Sequence, residues 1–258
     1  MMEYVNIYDL SIPKLGIGTW KMRGRGCRRS VRSALEMGYR HIDTAEFYRN
    51  EEQVGRAVKE SGVPREEIFL TTKAWNNHFG RESVQRACEQ SLERLGMEYI
   101  DLYLMHHPSD SVPLEETLAG MNQLVDDGKT RFIGVSNFGV SRLNRAREIA
   151  SHPIFTNQVE YHPFRQQKDV LDYCQNHGVL LTAYSPLDRG GVTRKKTLQR
   201  IGEKYGKSAA QVTLRWLVQL ENVITIPKAS SREHQRSNLE LFDFELSDED
   251  MREINDLG

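Results

Sequence analysis

The sequence predicts an α/β fold, a (β/α)8 TIM barrel formed as a single domain over residues 1–258 with a short β-hairpin at its N-terminus. Three observations carry that expectation. Eight short apolar, β-branched tracts recur along the chain. Segments with helical spacing and readable ends separate them. The tracts are continuously apolar rather than alternating, which marks strands buried on both faces, as in a parallel sheet.

The opening residues "VNIYDLSIPK" read as the hairpin. The strand tracts follow: "LGIGTW" (15–20), "YRHIDTA" (39–45), "IFLTTKAW" (68–75), "YIDLYLMH" (99–106), "RFIGVSNF" (131–138), "IFTNQVE" (154–160), "VLLTAYSPL" (179–187) and "VITIPKA" (223–229). Between them, "SVRSALEMG" suggests a helix capped at Ser30 and stopped at Gly38, and "SVQRACEQSLERLG" one running from Ser83 to Gly96. "SAAQ" at 208–211 has the form of a capping box before "VTLRWLVQL". An open doubly wound sheet alternates in the same way, but it usually announces a nucleotide site with G-x-G-x-x-G after its first strand. "GIGTWK" offers Gly16 and Gly18 and then Lys21 in place of the third glycine, so the barrel is preferred.

Composition narrows the class. Lys and Arg number 35 against 36 Asp and Glu, a balance that argues against a nucleic-acid partner. Cys27, Cys88 and Cys174 have no paired spacing, which suits a reducing compartment. No run approaches 18 apolar residues and the start lacks a signal-peptide core, so the chain is expected to be cytoplasmic, away from the membrane, and a monomer or weak homo-oligomer.

Barrel enzymes work at the carboxyl ends of their strands. There the second tract carries Asp43, with Tyr48 in the loop beyond, the third carries Lys73, and the fourth ends at His106. A phenol with a pKa near 10 keeps its proton at neutral pH and becomes a useful acid where a neighbouring ammonium stabilises its anion. A buried lysine keeps its charge when a carboxylate holds it, and Asp43 is the expected partner. His106 can hydrogen-bond a substrate oxygen. Together the four suit protonation of the oxyanion formed when hydride attacks a carbonyl, an effect worth roughly 10²–10⁴ in rate. Each also has a plainer reading as a cap, a packing residue or a structural imidazole. Their convergence at three successive strand ends favours chemistry. Neither His162 near Glu160 nor His41 near Asp43 makes a metal ligand set.

At these residues the chain resembles the aldo-keto reductase family, over nearly its whole length. "GYRHIDTAEFYRNE", "LTTKAW" and "DLYLMHHP" look like the family's aspartate–tyrosine, lysine and histidine segments, and "IGVSNF", "NQVEYHP", "AYSPL" and "IPKAS…FDFELS" follow in family order. The resemblance implies reduction of aldehydes and ketones with NADPH (NADP+), NADH use remaining open, and a small carbonyl compound as the partner. It implies Tyr48 as proton donor, tuned by Lys73 and Asp43, with His106 orienting the carbonyl. For the cofactor it implies Gly18, Thr19 and Asp43 at the first strands, and Ser136, Asn137 and Gln158 around the carboxamide. Tyr184 would lie against the nicotinamide ring, Ser185 and Leu187 near the pyrophosphate, Lys228 and Ser230 at the 2′-phosphate, with His234 beside them, and Asn238 at the adenine. Trp20, Trp75 and His107 would wall the substrate pocket.

Three departures stand out. His107 occupies a position where many members have Trp, Ala229 replaces the usual Ser, and His234 replaces an Arg that commonly grips the ribose phosphate; Arg232 and Arg236 are the nearby substitutes. A short "PSDSVP" segment and an end at Gly258, soon after "LSDEDMREINDL", imply an open site of broad range. The alternatives are a non-enzymatic, cofactor-binding regulatory or structural member of the same family, or an unrelated barrel lyase or isomerase.

Overall fold

The eight tracts form eight parallel strands in the order in which they occur. The computed structural model describes residues 2–8 and 10–258. After the hairpin of β1 (Tyr4–Ile7) and β2 (Leu10–Pro13) come β3 (Ile17–Gly18), β4 (His41–Asp43), β5 (Phe69–Ala74), β6 (Ile100–Met105), β7 (Thr130–Ser136), β8 (Ile154–Glu160), β9 (Leu180–Tyr184) and β10 (Val223–Thr225). Each strand from β3 to β10 pairs with its sequence neighbour. The ring closes where Leu15 bridges Thr225: Gly16 N donates to Thr225 O at 2.8 Å, and Gly18 N donates to Pro227 O at 3.1 Å. Gly18 is required at this seam, because a Cβ there would lie 2.5 Å from Ile226 O. The hairpin pairs as expected, although Asp9 in its turn lies outside the described residues.

Helices α1 (Gly24–Glu36), α2 (Glu51–Ser61), α3 (Arg81–Leu95), α4 (Leu114–Asp126), α5 (Val140–Ile149) and α6 (Lys168–Asn176) follow β3 to β8 in turn. Two helices, α7 (Lys196–Tyr205) and α8 (Ala209–Gln219), follow β9, and α9 (Arg232–Leu239) and α10 (Asp248–Asn255) follow β10. The capping box at Ser208 and Gln211 forms as read, and Gly96 ends α3 in the left-handed region at φ 64°. The expected cap at Ser30 does not form. The helix starts at Gly24, and Ser30 lies within it with its hydroxyl donating to Ala229 O at 2.9 Å. Burial of Cys27, Val31, Ala34 and Leu35 against the sheet outweighs the poor helix propensity of Gly24 and Gly26.

Two apolar layers result. A large one lies between strands and helices. A smaller one fills the barrel, where Phe69, Leu102, Leu104, Phe155, Leu180 and Ile224 meet Val5 and Ile12 of the hairpin. The hairpin thus stoppers the amino-terminal end. Side chains of a strand alternate between faces, so the inward row of β5 runs Phe69, Thr71, Lys73, and that of β6 runs Leu102, Leu104 and on to His106. The layer above the apolar plug is polar, and it faces the open carboxyl end.

Candidate active site

Lys73 is fully buried, and its Nζ donates to Asp43 Oδ1 at 2.6 Å and to Thr44 O at 2.7 Å. The second Asp43 oxygen accepts from Gln158 Nε2 at 2.7 Å. Burial pushes the Asp43 carboxyl up and the Lys73 ammonium down, and each charge opposes the displacement of the other. Tyr48 leaves β4 on the one-turn 3₁₀ segment Glu46–Tyr48, and Lys73 Nζ lies 5.1 Å from the centre of its ring. Two of the three N–H groups of the ammonium are taken by Asp43 and Thr44. The phenol's pKa is nonetheless raised well above its usual value, by burial first and then by the negative charge of Asp43. Tyr48 is firmly protonated at rest, and the ammonium can act only once the proton leaves.

His106 meets Tyr48 edge to face with ring centres 5.5 Å apart. Its Nδ1 is buried without a partner, and burial, helped by Lys73, pushes its pKa down to about 2. The imidazole is neutral and carries a single N–H. His107 stacks on it at 5.0 Å. Asn137, held at φ 63°, donates from Nδ2 to His106 O at 3.2 Å and accepts from Tyr184 Oη at 2.9 Å. Ser136 Oγ donates to Gln158 O at 2.8 Å. Asparagine tolerates this left-handed backbone better than most residues.

These groups line one chamber of about 340 Å³. It brings together Gly18, Trp20, Asp43, Tyr48, Trp75, His106, His107, Ser136, Asn137, Gln158, Tyr184, Ser185 and Lys228 of the residues marked in the sequence; Lys73 lies beneath it, bonded to Asp43. Thr19 lies behind the wall, with its hydroxyl donating to Asp43 O at 3.0 Å. Leu187 lines an adjoining chamber of about 370 Å³ that shares Trp20, Ser185, Arg189 and Lys228 with the first. Ser230 opens onto a separate cleft beside α1. His234 is exposed on α9, and Asn238 is buried there within hydrogen-bonding reach of Tyr39; neither lines these chambers.

Several residues escape a reading of the sequence. Glu46 accepts the backbone N–H of Trp75 and pairs with His78 Nδ1 at 3.0 Å, clamping the Tyr48 turn to the exit of β5. Phe47 stacks on Trp75 with centres 4.0 Å apart and, with Trp20, leaves an exposed aromatic shelf at the mouth. Asn50 donates to Thr19 O and Met22 O at 3.0 and 3.1 Å, tying the exit of β3 to α2. An Asn directly ahead of the helical run that begins at Glu51 was a usable signal for Asn50. The positions of Glu46 and Arg189 were not readable without tertiary contacts. Among the described residues no group of three or more His, Cys, Asp or Glu could hold a metal ion, and no helix is long and apolar enough to cross a membrane.

A buried Asp–Lys pair under a tyrosine, beside a neutral histidine and amide groups at the mouth of a (β/α)8 barrel, defines an oxidoreductase of the nicotinamide-dependent, carbonyl-directed class. The model of the aldo/keto reductase family matches residues 14–258, and the chain belongs to that family. It is 45% identical over 250 residues to the glyoxal reductase of Bacillus subtilis (strain 168), covering 96% of this chain and 90% of that one. An aldo/keto reductase from Brucella melitensis superposes with a TM-score of 0.94 at 39% identity over the full length of both chains. A Bombyx mori aldo-keto reductase in complex with NADP gives 0.93 at 36% identity, covering 100% of this chain and 93% of that one.

Proposed function

We propose that the chain reduces small aldehydes and ketones to alcohols with NADPH, and that Tyr48 supplies the proton. The observation that carries this reading is the Lys73–Asp43 pair set beneath the Tyr48 ring in a chamber also lined by His106. The cofactor has residues to fit it. Asn137, Gln158 and Tyr184 offer amide and phenol groups in the first chamber, and the lining continues through Ser185 and Lys228 into the second.

When bound, the reduced nicotinamide supplies a hydride to the carbonyl carbon. The chain's own residues handle the oxygen. His106, neutral, donates its N–H to the carbonyl oxygen and orients it. The Tyr48 O–H gives its proton to the same oxygen as negative charge develops there, and the phenolate left behind is stabilised by the free N–H of Lys73. Asp43 holds that ammonium charged inside the barrel. Because the phenolate arises only during the reaction, this stabilisation acts on the transition state rather than on ground-state binding.

The mouth favours a broad substrate range. Trp20 and Phe47 are 43% and 44% exposed, a flat shelf that discriminates little between shapes. The name of the Bacillus relative makes glyoxal the first compound to test, followed by an aromatic aldehyde. The test is NADPH oxidation by the purified protein with each. Turnover with both, abolished by Tyr48→Phe, fits the reading; NADPH binding without turnover of any carbonyl would favour a non-enzymatic member of the family.

A further inference from the structure

Beyond the second chamber, and joined to it through Lys21, lies a cleft of about 570 Å³ between the start of α1 and the turn into α9. One wall is cationic. Residues 21–33 carry Lys21, Arg23, Arg25, Arg28, Arg29 and Arg32 and no acidic residue. Arg28 is taken by Glu60 and Arg32 by Glu36, whereas Lys21, Arg23 and Arg29 have no carboxylate at ion-pair distance among the described residues. The other wall presents Ser230 but no free cation, because Lys228, the lysine expected at the 2′-phosphate, lines the two inner chambers and not this cleft. Arg232 is committed at 3.2 Å to Glu36 and at 3.3 Å to Ser33 Oγ, and His234 does not line the cleft.

The two walls form one rigid unit. Ser30 Oγ and Gln235 Nε2 both donate to Ala229 O, at 2.9 and 3.0 Å, Gln235 Nε2 also donates to Ser30 O at 2.9 Å, and Ser33 Oγ donates to Gln235 Oε1 at 2.7 Å. All four residues are buried. A phosphate entering between Ser230 and α1 would therefore meet the unpaired cations of α1, and guanidinium forks suit its geometry.

We propose that Arg29, aided by Arg23, takes the 2′-phosphate of NADPH in this cleft, so that selectivity over NADH comes from α1 rather than from α9. This rests on the function proposed above. The test measures dissociation constants for NADPH and NADH, by quenching of tryptophan fluorescence, in the wild type and in Arg29→Gln, Arg23→Gln and Arg25→Gln. Arg25 is exposed on the same helix and does not line the cleft, so it controls for diffuse charge. Arg29→Gln is expected to weaken NADPH about tenfold and leave NADH unchanged, as loss of a charge-assisted hydrogen bond would. Arg23→Gln should do so to a smaller degree, and Arg25→Gln should move neither. An unchanged NADPH-to-NADH ratio in Arg29→Gln, or an equal loss in Arg25→Gln, would overturn the inference alone. A wild type that binds neither nucleotide would overturn the proposed function as well.

Discussion

Lys73 Nζ lies 2.6 Å from Asp43 Oδ1, both side chains sealed inside the barrel, on the inward row one layer above its apolar plug. Neither charge is stable there alone. The pair is a fixed dipole beneath Tyr48, and its integrity governs both stability and turnover.

Lys73→Met strands a buried carboxylate and is expected to lower unfolding free energy by about 3–5 kcal/mol in urea titrations. Asp43→Asn combined with Lys73→Met removes both charges and should recover much of that loss. Recovery of stability without recovery of turnover separates the two roles. Equal stability of the single and double variants would count against the pair.

Two buried histidines make the fold acid-sensitive. The pKa of His41 is pushed down to about 3 and that of His106 to about 2, against about 6.5 in the unfolded chain. Below pH 6.5 the unfolded chain binds protons that the folded chain refuses, so stability is present above that pH and falls as pH drops towards 3. Each contributes a slope approaching about 1.4 kcal/mol per pH unit. Urea unfolding at pH 7 and pH 5 should show the loss, and His41→Asn should make the dependence shallower by one group's share. An unaltered slope would contradict the assignment.

Because the resting phenol is protonated and His106 is neutral, neither titrates near neutrality. Reductive turnover is expected to be flat from about pH 6 to 9 at saturating aldehyde. A sharp step near pH 6.5 that disappears in His106→Asn would show an imidazolium in the cycle.

Glu46 positions the turn that carries Tyr48 through the Trp75 backbone and His78. Glu46→Ala should lower kcat roughly tenfold by misplacing the phenol, with NADPH affinity retained. Steady-state kinetics and a cofactor titration would check this; a change confined to KM would assign Glu46 to the aromatic shelf instead.

The sequence made the barrel legible because buried parallel strands are apolar throughout, and all eight appear within a few residues of their tracts. Asp43, Lys73 and His106 were legible as ionisable residues at the carboxyl ends of those tracts, where barrel sites form. Turn residues have no such period, so Glu46 could not be told from a solvated carboxylate. The arginines of α1 looked like an ordinary charged face, since only the tertiary approach of α9 turns them into the wall of a cleft. Ser30 misled because a serine ahead of an apolar run resembles a cap whether or not the helix began a turn or more earlier.

The most direct test is Tyr48→Phe, which removes one oxygen and leaves the ring packed against Trp20 and His106. Single-turnover oxidation of bound NADPH by saturating aldehyde should slow by about 10²–10⁴ while the NADPH dissociation constant stays within about twofold of the wild type. A single-turnover rate equal to that of the wild type would contradict the account.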